Sequence, residues 1–107
     1  MNKSEDNILK IKGGGPSDDR DDARNYVKRV ARAILTVIGK YGDARLRAVG
    51  APSVNNAVKA LIIAKNISSE RDEVDLLFTA SFDVVDFDGQ EKTAIMFTVF
   101  PDEYEEE

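Results

Sequence analysis

The chain contains no cysteine, no histidine and no tryptophan among its 107 residues. Without cysteine and histidine it has no disulfide bridge, no zinc site built from thiolates or imidazoles, no cysteine nucleophile and no histidine general base. No run reaches the roughly 18 apolar residues of a membrane span, and no apolar signal-peptide region follows the first residues. We therefore expect a cytoplasmic protein that is not an enzyme, holds no metal or cofactor, takes no small-molecule substrate and does not enter a membrane.

Length and composition predict one globular domain. The chain is 42% hydrophobic and 33% charged, and it is long enough for one two-layer core but not for two independent cores. We expect a single domain over residues 1–101, with a flexible loop at residues 13–21 and a disordered acidic tail at residues 102–107.

Charge is distributed unevenly along the chain, although the net charge is only −5. Residues 23–65 carry nine Lys and Arg against Asp43 alone, whereas residues 66–107 carry two against thirteen carboxylates. A basic middle segment in an acidic protein indicates either a polyanionic partner or pairing with the acidic end of a neighbouring copy.

Hydrophobic periodicity predicts a β-α-β unit in the first half of the chain. Residues 7–12 and 44–49 alternate as half-buried strands, and residues 22–41 repeat apolar side chains at the spacing of an amphipathic helix. Two strands joined by a helix are expected to run parallel. The exposed stripe of this helix is basic, and we interpret it as a solvated face; it contains Arg24, Lys28, Arg29 and Arg32.

The second half predicts a helix, a polar loop and a hairpin. The helix opens at Gly50 and Pro52 and ends near Asn66, and residues 68–73 form the loop. Its buried face comprises Val54, Ala57, Val58, Leu61, Ile62 and Ala64. Residues 74–85 and 93–100 alternate as two strands joined by an Asp-Gly turn. In the first of these strands the apolar side chains fall at Leu76, Phe78, Ala80, Phe82 and Val84.

The order β-α-β-α-β-β predicts an α/β two-layer sandwich in which a four-stranded mixed sheet carries two helices on one face. If Leu9 and Leu46 face the helices, alternation places four cations together on the opposite face: Lys10, Lys12, Arg45 and Arg47. Lys59 lies at the exposed start of the second helix. Such side chains neutralise nucleic-acid phosphates with little reading of bases, and no aromatic residue is expected among them to stack a base.

Apolar residues on the helix-free face of the sheet predict a homodimer or a higher homo-oligomer. The predicted interface consists of Leu77, Val85, Met96 and Phe100.

Three stretches resemble the stage V sporulation protein S family: LRAVGAPSVNNAVKALIIAKN, VDLLFTASFDVV and EKTAIMFTVFP, which together cover roughly residues 44–101. The segment Asn25-Tyr26-Val27 is similar to the opening of the first helix in Alba, an archaeal chromatin and RNA-binding family of this fold. The resemblance implies an Alba-like domain, dimeric or oligomeric, with a nucleic-acid-binding role. It also implies that Gly50, Asn56 and Lys59, with Arg45 and Arg47 just before them, belong to the site.

Two functions are open at this point. The first is a regulatory or chromatin-like protein that binds DNA or RNA through phosphates with weak sequence specificity. Its predicted site residues are Lys10, Lys12, Arg45, Arg47, Gly50, Asn56 and Lys59. The alternative is an oligomeric scaffold or sporulation-type regulatory protein that does not bind nucleic acid directly.

Overall fold

The computed structural model describes residues 6–14 and 20–102. Its elements are β1 (Ile8–Ile11), α1 (Arg20–Tyr41), β2 (Ala44–Ala48), α2 (Ala51–Ile67), β3 (Leu76–Phe87) and β4 (Gln90–Pro101). The predicted element order and the two-layer arrangement are confirmed. Most of the predicted flexible loop and nearly all of the predicted acidic tail, residues 15–19 and 103–107, lie outside the described residues.

The four strands form one mixed sheet in the order β1-β2-β4-β3. β1 runs parallel to β2, as predicted for two strands joined by a helix. β4 runs antiparallel to both β2 and β3. The last strand of the described chain therefore lies inside the sheet, and β3 forms one edge of it.

The core lies between the helices and the β1-β2-β4 part of the sheet. Leu46 is fully buried at its centre, in register with Leu9 on one side and Phe97 on the other. The residues that α2 buries are mostly small, namely Ser53, Ala57, Ala60, Leu61 and Ala64. Small side chains let α2 lie close to α1, whose Ala31 and Ile34 are fully buried. Neither of these two helices is both long and apolar enough to cross a bilayer.

The segment after α2 differs from the predicted polar loop. It is a π-helical turn, Ser68–Asp72, which ends at Glu73 in the left-handed conformation with φ 58°. The buried Ser68 hydroxyl donates a hydrogen bond of 2.8 Å to the carbonyl oxygen of Val74. The hydroxyl thus fixes the entry into β3, a tertiary role that composition alone does not reveal.

The predicted hairpin turn is confirmed. β4 is longer than predicted, whereas β3 has the predicted length and is shifted by two residues. Asp88 and Gly89 have φ of 51° and 83°, the two positive values of a type I′ turn. The ladder continues to the pair Phe87 and Gln90 directly beside this turn.

The helices do not cover the outer part of β3, and most of its apolar side chains are exposed. Leu76 is buried, but Phe78 is 45%, Phe82 81% and Val84 60% exposed. The helices contact β1 and β2, and β3 lies beyond β4 at the sheet edge. The apolar side chains of β3 therefore lie on the helical side of the sheet, as predicted, but the helices do not cover the outer part of this strand.

Candidate nucleic-acid interface

A groove runs between α1 and α2 beside the end of β1. We call it the α1–α2 groove and define it by its basic side chains Lys12, Arg24, Arg29 and Lys59. Its apolar floor is made by Val27, Ile62 and Ile63. Two adjoining depressions share Ala23, Asn56 and Lys59, which makes the groove continuous.

The position of Lys12 differs from the sequence prediction. Strand alternation placed it on the helix-free face, but β1 ends at Ile11. The Lys12 amide donates a 2.8 Å hydrogen bond to the Tyr26 hydroxyl. Its carbonyl oxygen accepts a 3.0 Å hydrogen bond from the Asn56 side-chain nitrogen. These two bonds bind the chain to both helices, and Lys12 therefore lines the groove.

Tyr26 is an aromatic residue among the groove cations, where the sequence predicted none. The Arg29 guanidinium carbon lies 5.8 Å from the centre of the Tyr26 ring, within the range of a cation–π contact. This contact, together with the hydrogen bond from Lys12, orients one side of the groove.

The start of α2 adds positive character to the same end of the groove. Gly50 precedes the helix with φ 91° and ψ 156°, a conformation in which a Cβ is unfavourable. No side chain caps the first turn, and that turn contains no acidic residue. The positive end of the helix dipole is therefore not neutralised by a side chain of its own first turn. Gly50 itself lies beside a different depression, near Phe82.

The chain between β1 and α1 passes directly over this first turn. A Cβ added to Gly13 would lie 3.2 Å from the Cβ of Pro52 and 3.3 Å from the Ser53 hydroxyl. Glycine at this position permits the close approach that brings Lys12 next to α2.

The other predicted cations lie on the helix-free face of the sheet. Lys10 is in register with Arg47, and Arg45 lies two residues from Arg47 along β2, on the same face. Arg47 forms an ion pair of 3.1 Å with Asp83 of β3. A partly exposed pair of this kind contributes about 0.2–1 kcal/mol to stability, and it leaves less of the Arg47 charge for a ligand.

Arg45 is held by a buried amide. Its Nε and Nη2 donate hydrogen bonds of 3.3 and 3.1 Å to the Asn7 side-chain oxygen. The Asn7 side-chain nitrogen in turn donates a 2.6 Å hydrogen bond to Asp43. A second link joins the two backbones, since the Arg45 amide donates to the Asn7 carbonyl at 2.8 Å. Arg45 thus helps fasten β1 to β2, a structural role for a predicted site residue.

The structure therefore divides the predicted site. Lys12, Asn56 and Lys59 come together in the groove, whereas Lys10, Arg45 and Arg47 lie on the other side of the sheet. Sequence reasoning missed Arg24, Arg29 and Tyr26 as groove residues. Their signal was present, because the basic stripe of α1 borders its apolar stripe, but a solvated helix has the same pattern.

Electrostatic pairing distinguishes the two surfaces. Within residues 6–14 and 20–102, the ion pairs are Arg47 with Asp83 and Arg71 with Asp72. None of the four groove cations takes part in either pair. One carboxylate, Asp22, also lines the groove. The four groove cations are thus exposed and take part in no ion pair with the described residues.

The predicted oligomer interface lies on the helix-free face, as alternation required. Leu77 is in register with Phe100, and Met96 and Val85 face the same way further along the hairpin. Met96 is only 9% exposed, so the chain itself already covers most of it. Leu77, at 44%, is the most exposed residue of this set.

Fold and site together define a small α/β two-layer domain of β-α-β-α-β-β order with a basic groove between its helices. The sequence model of the stage V sporulation protein S (SpoVS) family matches residues 22–102, which is most of the chain. The protein belongs to this family. The match includes the whole groove-facing part of α1 as well as the later stretches that carried the resemblance.

Proposed function

We propose that this protein binds nucleic acid through its phosphates along the α1–α2 groove. The observation that carries the proposal is the convergence of four exposed cations from β1, α1 and α2 on one groove, without an ion pair among the described residues. Lys12 enters this set only because Asn56 and Tyr26 hold the backbone beside it. A convergence that depends on specific tertiary hydrogen bonds is harder to explain as solvation than a basic stripe on one helix is.

The chemistry of the groove favours binding with weak sequence specificity. Lys and Arg side chains and an uncapped helix start are groups that contact phosphate oxygens. Reading of bases needs side chains that reach base edges or aromatic rings with a free face. Tyr26 is the aromatic residue of the groove, and its hydroxyl and ring are engaged by Lys12 and Arg29.

Family membership supports a regulatory setting for this activity. The name of the family refers to a stage of sporulation. Binding of phosphates without recognition of the base sequence is compatible with a chromatin-like or regulatory role on DNA or RNA. The proposed activity is binding through charge and shape, without a catalytic step.

A salt titration tests the proposal. Labelled double-stranded DNA and single-stranded RNA are titrated with the protein and followed by fluorescence anisotropy at 50 and 200 mM salt. If four phosphates of a duplex are contacted, the affinity should fall by about a hundredfold when the salt is raised from 50 to 200 mM. Each contact adds about 0.9 to the slope of log affinity against log salt concentration. No binding to either ligand at 50 mM salt would overturn the proposal.

A second candidate function, an oligomeric interaction protein, is favoured by a different observation. Phe78, Phe82 and Val84 are exposed side by side on the helical side of β3. Together they leave roughly 300 Å² of apolar surface open, if a fully exposed phenylalanine presents about 200 Å². Patches of this size on single chains are often functional. β3 is also a strand of 12 residues at the sheet edge, with one side of its backbone available for pairing.

The substitution Phe82→Asp tests this second candidate. It should weaken self-association by at least about tenfold, because it places a charge at the centre of the apolar patch. Stability should change little, since the side chain is exposed. Sedimentation equilibrium over a range of concentrations measures the effect. Tyr41→Asp is the matched control, because Tyr41 is an exposed aromatic residue at the end of α1 that lines neither the β3 surface nor the groove. Equal association constants for the Phe82→Asp variant and the unchanged protein would exclude the β3 surface as an interface.

A further inference from the structure

The segment of residues 103–107 has a composition opposite to that of the groove. It consists of four glutamates around one aromatic residue, in the order Glu103, Tyr104, Glu105, Glu106, Glu107. It lies beyond the family match, which ends at residue 102, and beyond the described residues. The segment is therefore a feature of this chain that the match to the family does not include.

We propose that residues 103–107 of one copy of this chain dock in the α1–α2 groove of a second copy and compete there with nucleic acid. The docking follows from the groove and the segment alone. The competition rests on the proposed function, and the experiments below separate the two.

Charge and shape are complementary in kind and number. The segment carries four glutamates, and the groove carries four exposed cations: Lys12, Arg24, Arg29 and Lys59. The single tyrosine has a matching surface in the apolar floor, where Ile62 is 50% exposed beside Val27 and Ile63. A segment with one aromatic residue and several carboxylates is complementary to a groove with an apolar floor and basic side chains along its edges. Among the described residues, Asp22 is the groove carboxylate that opposes the docking.

Reach places the Lys12 end of the groove beyond residues 103–107 of the same copy. The segment starts after Asp102, whose amide is fixed to the Asp75 carbonyl oxygen by a 2.8 Å hydrogen bond. Lys12 follows Ile11, which is in register with Ala48, and Ala48 is in register with Ile95. Asp102 is therefore seven residues along β4 from the level of the groove's Lys12 end, about 23 Å at strand spacing. Five residues span at most about 18 Å, and they would also have to pass from the sheet to the outer side of the helices.

Mixed-isotope cross-linking tests the docking without nucleic acid. Full-length protein at natural isotope abundance is mixed with ¹⁵N-labelled protein, treated with a zero-length carboxyl-to-amine cross-linker at 50 mM salt, and analysed by mass spectrometry. We expect cross-links between copies that join residues 103–107 to Lys12 or Lys59, at several times the yield at the exposed control residues Lys40 and Lys92. Cross-links confined to single copies, or equal yields at all four lysines, would overturn the docking.

Two variants separate specific docking from general attraction. Tyr104→Ser keeps every charge, and it should reduce the cross-links to Lys59 severalfold because the aromatic anchor is lost. A variant with Arg24 and Arg29 changed to glutamine keeps every carboxyl and amine group that the cross-linker joins, and it should lower the yield at Lys12 and Lys59 severalfold because the groove loses two of its four cations. An undiminished yield in the Tyr104→Ser variant would show that the apolar floor does not bind the tyrosine, and it would overturn the proposed docking.

Nucleic-acid affinity then tests the competition. A variant with the four glutamates of residues 103–107 changed to glutamine should bind duplex DNA about threefold to tenfold more tightly than the unchanged protein at 50 mM salt. The difference should be lost at high salt. Specific cross-links combined with unchanged affinity would leave the docking in place and overturn the competition. If neither protein binds nucleic acid, the proposed function fails, and the cross-linking result still decides the docking.

Discussion

Replacing Lys12, Arg24 and Lys59 together by glutamine should lower the affinity for double-stranded DNA about a hundredfold at 50 mM salt. The three side chains line one groove and form no ion pair within the described residues, so each is available to pair with a phosphate. Losing three contacts should also reduce the logarithmic salt slope by two to three, at about 0.9 for each phosphate. Anisotropy titrations at several salt concentrations give both values.

A charge-matched control makes this result specific to the groove. The variant with Lys40, Lys65 and Lys92 changed to glutamine loses the same charge from exposed residues that do not line the groove. It should reduce the affinity only a few-fold, through the general field of the protein. If both variants lose affinity equally, the groove is not the binding site and long-range charge accounts for binding. Asn56 is left unchanged, because its hydrogen bond positions Lys12.

The largest effect on stability is expected for Leu46→Ala, at about 3 kcal/mol within the usual 2–5 kcal/mol for such a change. Leu46 is fully buried on a central strand, with strand neighbours on both sides and helices above. Its surroundings are fixed on three sides and can relax little into the cavity. For a domain of this size the melting temperature should fall by about 12–24 °C.

Urea unfolding followed by circular dichroism measures this loss. Leu77→Ala is the control, because it removes the same atoms from a half-exposed position on the other face of the sheet. The control should cost about 1 kcal/mol or less. Equal losses for the two variants would mean that the core is not centred on β2. Unaltered salt-dependent DNA binding by the folded Leu46→Ala protein would show that the groove survives a loosened core.

Local patterns predicted the elements of the fold well. The Asp-Gly pair fixed the hairpin turn, since positive φ at both positions is what these residues tolerate. The three- and four-residue spacing of apolar side chains placed α1 within two residues of its observed start. Alternation correctly assigned the two sides of β2, where Leu46 is buried and Arg45 is not.

Lateral position in the sheet was beyond the reach of the sequence. β3 and β4 alternate in the same way, yet Phe97 and Val99 are buried while Phe82 and Val84 are exposed. Periodicity reveals which residues share a face, but not whether a helix lies above that face. Only the order β1-β2-β4-β3 decides this, and it depends on contacts that are distant in sequence.

The candidate site shows the same limit. Alternation assigned Lys12 to the wrong surface because the strand ends one residue earlier, where Tyr26 and Asn56 bind the backbone. It also could not show that Arg45 and Arg47 are engaged by Asn7 and Asp83. Such pairings join residues more than thirty positions apart, and single-sequence patterns do not record them.

The strand order also affects how the protein emerges from the ribosome. β4 lies between β2 and β3 but is synthesised after both of them. Until it arrives, β2 has an open edge and β3 has no neighbouring strand on which to fold. The sheet therefore closes only when its last strand inserts between the two earlier ones.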